Sequence, residues 1–416
     1  MKNLIKNIIA DFHRNGTKNF RKRDYSIPLN SSKVVTLIGP RRSGKTFMLY
    51  QLMEQIEDIT DIIHINFEDE RLKFSSANFQ LIVDAYFEMY PNKVEKNIYF
   101  FFDEIQEATG WEKFVRRVYD TISQKIFLTG SSAKLLSREI ATALRGRTIS
   151  YEIFPLSFKE YLQFSDIEAD TNSTKGKAKS LIYLKKYLFT SSFPETVGMD
   201  KIVFEKTLRT YLDVMLYRDV IERYNISNHL ILKNLMHLLL ANSGKEYSVN
   251  KIFNNLKSQG LSISKDSLYK YVNYLQDAFI LFSVNNFTES IAKTTARKAY
   301  TIDQGLSSMV SFALSEDKGR LLESIVFLEL RRRYEEIFYF KNKNECDFII
   351  KEKNNITKCL QVCFHISEEN KQREVAGLKE AMDRFELKKG KILTWDFEKT
   401  ENKIQFLPVY KWLLEK

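Results

Sequence analysis

A chain of 416 residues is long enough for about two to four domains, each able to bury a core of its own. Hydrophobic residues make up 44% and charged residues 28%, the balance of a soluble globular protein, and no apolar run approaches the eighteen or so residues that would span a bilayer. A net charge of +11 permits nucleic-acid or other anionic partners, although the Lys-, Asn-, Ile- and Phe-rich composition also fits an AT-rich genome.

The N-terminal Met1–Ala10 stretch reads as a short amphipathic helix. It lacks the continuous apolar core and small-residue cleavage site of a secretory signal, so a cytoplasmic protein with no membrane segment is expected. Cys346, Cys359 and Cys363 lack paired C-x-x-C spacing, and their odd number argues against a disulfide framework. A basic connector, Arg21-Lys22-Arg23, leads to a strand-like Tyr25-Ser26-Ile27-Pro28-Leu29.

The apolar run Val34-Val35-Thr36-Leu37-Ile38 is followed by Gly39-Pro40-Arg41-Arg42-Ser43-Gly44-Lys45-Thr46 and then by the helix-like Phe47–Met53. This is G-x-x-x-x-G-K-[ST] between a strand and a helix, the setting of a P-loop. The glycines allow a tight turn whose N–H groups face an anion, reinforced by the positive end of the helix dipole. Lys45 would reach the β- and γ-phosphates of ATP, and the Thr46 hydroxyl would hold Mg²⁺.

Ile62–Phe67 reads as a second strand, and Asn97–Phe102 as a third, closed by Asp103-Glu104. A continuous apolar run marks a strand buried on both faces of a parallel sheet, and acids at its C-terminal end lie where open α/β sheets bind ligands. Asp103 fits the Walker B role of orienting Mg²⁺, and Glu104 that of the general base polarising the attacking water. Lys125–Leu128 is the next buried strand, and Thr129-Gly130-Ser131-Ser132 ends it with hydroxyls. Ser131 or Ser132 could sense the γ-phosphate there, ahead of a helix at Lys134-Leu135-Leu136. Arg145-Gly146-Arg147 precedes a strand at Thr148–Ile153; Arg147, more than Arg145, is the candidate arginine finger, acting in cis or across a subunit.

These residues, with Phe102-Asp103-Glu104-Ile105-Gln106, Leu128–Ser132, Leu144–Arg147 and Phe154-Pro155-Leu156-Ser157-Phe158, resemble the prokaryotic AAA-type P-loop ATPases that carry a C-terminal domain of unknown function. Ser192-Phe193-Pro194-Glu195 is similar to that family's Gly-Gly-Phe-Pro-Glu turn, with Ser191 and Ser192 in place of the glycines. The resemblance runs over nearly the whole chain. Its Walker motifs imply nucleotide binding; the other matches identify the family and assign no chemistry.

Beyond Tyr161 the sequence changes character. Ser165–Ser180 is polar and reads as an exposed loop, while Leu181–Phe189 and Ile202–Tyr224 carry helical periodicity and would form a lid or linker, residues 161–227. Leu230–Ala241, Val249–Gln259 and Lys265–Ala278 read as three helices, the last capped by Ser264, followed by strands at Phe279–Val284 and Lys298–Ile302. That is a winged helix-turn-helix pattern over residues 228–305, in which Ser264, Lys265, Ser267, Lys270 and Lys293 would contact phosphate or bases of duplex DNA.

The last stretch, residues 306–416, begins with a helix from Arg320 and continues as strands at Ile337–Phe340, Cys346–Ile350 and Lys358–Phe364, a helix near Glu374–Phe385 and a strand at Lys391–Thr394. This order looks like the restriction-endonuclease-like fold. That likeness implies a helix Glu, a strand Asp and a Q-x-K or E-x-K triplet gathering Mg²⁺, and Glu323, Asp347 and Gln361 match. The lysine position is Cys363, whose thiol cannot supply a cation, and His365 is a poor substitute, so the domain reads as degenerate.

The expected fold is α/β: a P-loop parallel sheet flanked by helices over residues 1–160, followed by the winged-helix unit and the nuclease-like domain. The expected activity is Mg²⁺-dependent ATP hydrolysis that changes the placement of these parts on or near DNA. A nucleotide-driven switch binding protein partners and an ATP-gated nuclease stand as alternatives, and assembly into a homo-oligomer stays open.

Overall fold

The structure is a computed structural model that describes residues 1–75, 77–131, 144–288, 296–310 and 317–415. Ser132, the helix expected at Lys134-Leu135-Leu136 and Lys293 lie outside the described residues. The chain forms two compact units, Met1–Ile153 and Phe154–Lys416.

The first unit is built on five parallel strands: β1 Val34–Ile38, β2 Ile62–Asn66, β3 Tyr99–Asp103, β4 Ile126–Gly130 and β5 Thr148–Glu152. Their order across the sheet is β2-β3-β4-β1-β5. Because side chains alternate across a strand, the apolar run of β3 feeds two cores at once. Phe100 and Phe102 pack with Ile63, Ile65, Ile126 and Leu128 on one face. Phe101 packs with Phe127, Val35 and Leu37 on the other. Phe101 and Phe127 stack with ring centroids 4.7 Å apart. The register pairs Asn66 with Asp103 and Ile38 with Gly130, so these C-terminal ends share one edge of the sheet.

Helices Lys2–Asn15, Lys45–Met53, Gln80–Met89 and Trp111–Thr121 flank the sheet. The expected N-terminal helix is present, but Tyr25–Leu29 forms no strand. Ile27 is buried there without a ladder, against the face of the sheet that carries Val35 and Phe127.

In the second unit Phe154, Leu156 and Phe158 enter a core that runs on to Leu413. Ser157 caps the helix Phe158–Phe164 through a capping box with Glu160. The polar stretch expected as a loop to Ser180 instead starts the helix Thr174–Phe189, because the Ser173 side chain accepts from Gly176 N and caps it. Lys201–Leu216 is helical and continues as a π-helix, Tyr217–Glu222.

Helices His229–Ala241, Val249–Ser258 and Lys265–Asp277 follow, and Ser264 caps the last by accepting from Ser267 N at 3.0 Å. Beside them lies a three-stranded sheet of β6 Glu246–Tyr247, β7 Leu281–Asn285 and β8 Arg297–Thr301, ordered β6-β8-β7. After helices Gln304–Val310 and Lys318–Arg333 comes a six-stranded mixed sheet: β9 Glu336–Lys341, β10 Glu345–Glu352, β11 Asn355–Cys363, β12 Gly390–Thr394, β13 Lys399–Glu401 and β14 Ile404–Pro408. Helix Glu368–Arg384 crosses between β11 and β12, which are parallel, whereas β9, β10 and β11 pair antiparallel. No helix among the described residues is long and apolar enough to cross a membrane.

Candidate functional site

The loop between β1 and the helix Lys45–Met53 takes backbone angles that its sequence anticipates. Gly39 has φ +152°, and a Cβ there would stand 2.2 Å from the Ile153 carbonyl oxygen. Gly44, at φ 95°, occupies the helix N-cap in the left-handed region. The loop therefore closes tightly and presents the amide end of the helix, a concave cradle suited to phosphate. Lys45 is buried, and its ammonium donates back to the carbonyls of Gly39 at 3.2 Å and Pro40 at 3.1 Å.

Beside it stand the two acids that end β3. Thr46 Oγ1 donates to Asp103 Oδ2 at 2.7 Å, and Thr129 on β4 donates to Asp103 Oδ1. The same Thr129 hydroxyl accepts from Glu104 N at 2.8 Å, tying the ends of β3 and β4 together. Glu104 then turns into the left-handed region, φ 49° and ψ 49°, a backbone conformation uncommon for a side chain other than glycine and frequent at functional sites. That turn brings Glu104 Oε1 to 3.5 Å from Lys45 Nζ, while Gln106 Nε2 donates to Glu104 Oε2 at 2.5 Å.

The paired carboxyls are split in character. Burial pushes the Asp103 carboxyl above the usual carboxylate range, only partly offset by its hydroxyl donors. Burial pushes Glu104 up as well, but the Lys45 ammonium, the Gln106 amide and the Arg41 guanidinium outweigh it and hold Glu104 below that range. Two neighbouring acids held apart in this way are suited to different tasks, with Glu104 the ionised proton acceptor.

Ser43 and Ser131 complete the cradle. Each is fully buried, and each has a hydroxyl oxygen with no hydrogen-bond partner among the described residues. Arg41 pairs with Glu68 beyond β2 at 2.8 Å, and Arg42 holds φ 66° within the loop. Orphaned hydroxyls beside a cradle that a Cβ would fill are a fit for an anionic ligand. Among the described residues no group of three or more His, Cys, Asp and Glu is placed to hold a metal ion alone. Thr46 and Asp103 offer the one or two protein oxygens that Mg²⁺ takes when phosphates and water supply the rest.

Arg147 is not brought to this site within its own chain. Its carbonyl accepts from Val34 N at 2.7 Å, at the opposite end of β1 from Gly39. Four strand steps of about 3.3 Å put the loop roughly 13 Å away, too far for a guanidinium anchored elsewhere. It pairs with Asp120 at 3.1 Å and lies over the Tyr119 ring. Arg147 therefore cannot act as an arginine finger on the nucleotide site of its own chain in this arrangement.

Three contributors escaped the sequence reading. Thr129 reads in the sequence only as one of the hydroxyl residues that end its strand, and Gln106 only as part of a family motif without assigned chemistry. Arg23 looked like part of a solvated basic run, yet it is buried and donates to the Ser43 carbonyl at 2.9 Å from beneath the loop. Thr129 and Gln106 show their roles only where the ends of β3 and β4 meet in the folded sheet, and Arg23 only where it bonds to the P-loop.

The family described as an AAA domain matches residues 31–162, and one described as a domain of unknown function (DUF8612) matches residues 182–317. The chain is 40% identical over 414 residues to the uncharacterized protein MJ1544 of Methanocaldococcus jannaschii, covering 94% of this chain and 90% of that protein. It is 31% identical over 393 residues to an uncharacterized protein of Haemophilus influenzae, covering 92% and 94%. Among solved structures, the Walker-type ATPase PABY2304 of Pyrococcus abyssi aligns with a TM-score of 0.41 and 14% identity, covering 67% of this chain and 90% of that one. The chain thus belongs to the family of MJ1544 and carries an AAA domain of the P-loop ATPase type.

Proposed function

We propose that the first unit is a Mg²⁺-dependent ATPase and that hydrolysis repositions a DNA-contacting second unit. The observation that carries the catalytic part is the joined set Thr46–Asp103–Thr129–Glu104–Lys45 at one edge of the sheet. The P-loop amides from Gly39 to Lys45 would hold the phosphates, with Lys45 offsetting their charge. Thr46 and Asp103 would hold Mg²⁺, which would supply charge neutralisation for the bound phosphates. Glu104, kept ionised by its neighbours, would orient a water and accept its proton. Ser131 and Ser43 would spend their free hydroxyls on phosphate or water, and Gln106 would fix the Glu104 rotamer. Arg147 enters this scheme only from a neighbouring copy in a homo-oligomer.

In the second unit we read residues 161–227 as a helical lid, 228–305 as a winged helix-turn-helix and 306–416 as a restriction-endonuclease-like domain. DNA contact is supported by exposed cations and amides on helices Val249–Ser258 and Lys265–Asp277. Lys251, Lys257 and Lys270 are exposed and without an ionic partner among the described residues, and Asn254, Asn273 and Ser264 are exposed as well. Such side chains read phosphate by charge and bases by amide. A second reading, a cytoplasmic switch that binds protein, is favoured by exposed apolar side chains at the start of helix Lys201–Leu216, where Ile202 is 67% and Val203 52% exposed.

The ATPase rate with and without duplex DNA across a salt series separates these readings. Stimulation that fades steeply with salt supports action on DNA. A rate indifferent to DNA, with a size change on adding ATP, supports the protein switch. No ATP turnover under any condition overturns both.

A further inference from the structure

The two carboxylates expected to gather a metal, Glu323 on helix Lys318–Arg333 and Asp347 on β10, are already occupied by a side chain of the protein. Lys298, on β8, is almost completely buried, and its ammonium lies 2.9 Å from Glu323 Oε1, 2.8 Å from Glu345 Oε1 and 3.2 Å from Asp347 Oδ1. An ammonium has three donors and no acceptor, so these three oxygens saturate it. Burial alone would lower its pKa, but the surrounding Tyr300, Glu323, Asp347 and Glu345 raise it well above the ordinary lysine value.

Further atoms of the cluster are engaged as well, Glu345 Oε2 by Lys341 at 3.2 Å. Tyr300, two residues along β8 and so on the same face, donates to Glu323 Oε1 at 2.6 Å. Asp347 Oδ2 accepts from Val362 N at 3.0 Å. Gln361 turns inward: its Oε1 accepts from Asp347 N, and its Nε2 donates to Glu374 Oε2 at 2.8 Å. The Cys363 thiol donates to the His365 carbonyl. The triad expected to face a scissile phosphate is spent within the fold.

We propose that Lys298 is a tethered cation that stands permanently in place of a divalent metal, so that this domain is metal-independent and cleaves no phosphodiester. Its second consequence is mechanical. The ammonium comes from the three-stranded sheet, while the carboxylates come from helix Lys318–Arg333 and from β10. Tyr300 also stacks on Phe327 of that helix at 4.3 Å. Lys298 therefore clasps β8 to the helix and to the six-stranded sheet, and this part of the second unit moves as one body. None of this depends on the nucleotide site.

The test is Mn²⁺ uptake by the full chain, counted by electron paramagnetic resonance, in wild type, Asp347→Asn, Lys298→Ala and the double variant. The nucleotide site is common to all four and cancels in the differences. Wild type and Asp347→Asn should take up equal Mn²⁺. Lys298→Ala should gain one ion that Asp347→Asn removes again, and its melting temperature, unlike that of wild type, should rise with Mn²⁺. Loss of an ion on Asp347→Asn alone, or no gain in a folded Lys298→Ala, overturns the proposal. Should Lys298→Ala fail to fold, the wild-type and Asp347→Asn pair still decides by the same criterion.

Discussion

Each unit of this protein buries a lysine among acids, and the two lysines are held in opposite ways. Lys45 rests on two backbone carbonyls at 3.1 and 3.2 Å and stands 3.5 Å from one carboxylate, with orphaned serine hydroxyls nearby. Lys298 has three carboxylate partners within 3.2 Å, themselves bound by the Tyr300 hydroxyl, the Val362 amide and the Lys341 ammonium. A site that must exchange ligands keeps its donors loosely placed and some polar atoms unpaired. A site that must stay shut satisfies every group. On this view the chain has one working centre and one clasp.

Replacing each lysine is the direct way to break that contrast. Lys45→Ala should lower ATP turnover by about a hundred- to a thousandfold, on the scale of removing a preorganised charge donor, while leaving the melting temperature of the second unit unchanged. Steady-state rates and calorimetry read both. Lys298→Ala should do the reverse: basal ATPase retained, and stability of the second unit reduced by roughly 3–5 kcal/mol, because buried carboxylates lose the buried cation they share. Urea unfolding in metal-free buffer measures that loss.

A smaller, pH-dependent effect sharpens the clasp. Burial, and then the neighbouring Glu323 charge, push the Asp347 carboxyl up to about 7. A carboxyl whose folded pKa lies above its unfolded value binds its proton more tightly when folded. Its stabilising contribution is therefore full in acid and fades as the pH rises through about 7. The stability of wild type relative to Asp347→Asn should fall between pH 5 and pH 8, by an amount on the order of 2–3 kcal/mol. Paired urea titrations at the two pH values check the sign.

The contrast also shows what a sequence can disclose. The P-loop, the two acids after β3 and the serine after β4 were legible because each is a local pattern at the end of a buried strand. The parallel register then brings those ends together. Ser173 capping a helix inside a polar stretch was not, since a cap and a loop use the same residues. Arg147 follows the right strand in sequence but sits at its wrong end, which only the pairing of β5 with β1 reveals. Lys298 was read as part of a wing. Its partners Glu323 and Asp347 lie 25 and 49 residues away, and no spacing rule links a strand lysine to acids on another element.

The central claim is that the first unit holds a hydrolysis site in which Glu104 acts on water. Glu104→Gln removes the charge and keeps the shape, and Gln106 can still hydrogen-bond to it. ATP affinity and turnover measured side by side in this variant test the claim most directly. Affinity within a few-fold of wild type, with turnover reduced by about a hundredfold or more, is the predicted result. Near-normal turnover would contradict it and remove Glu104 from the chemistry.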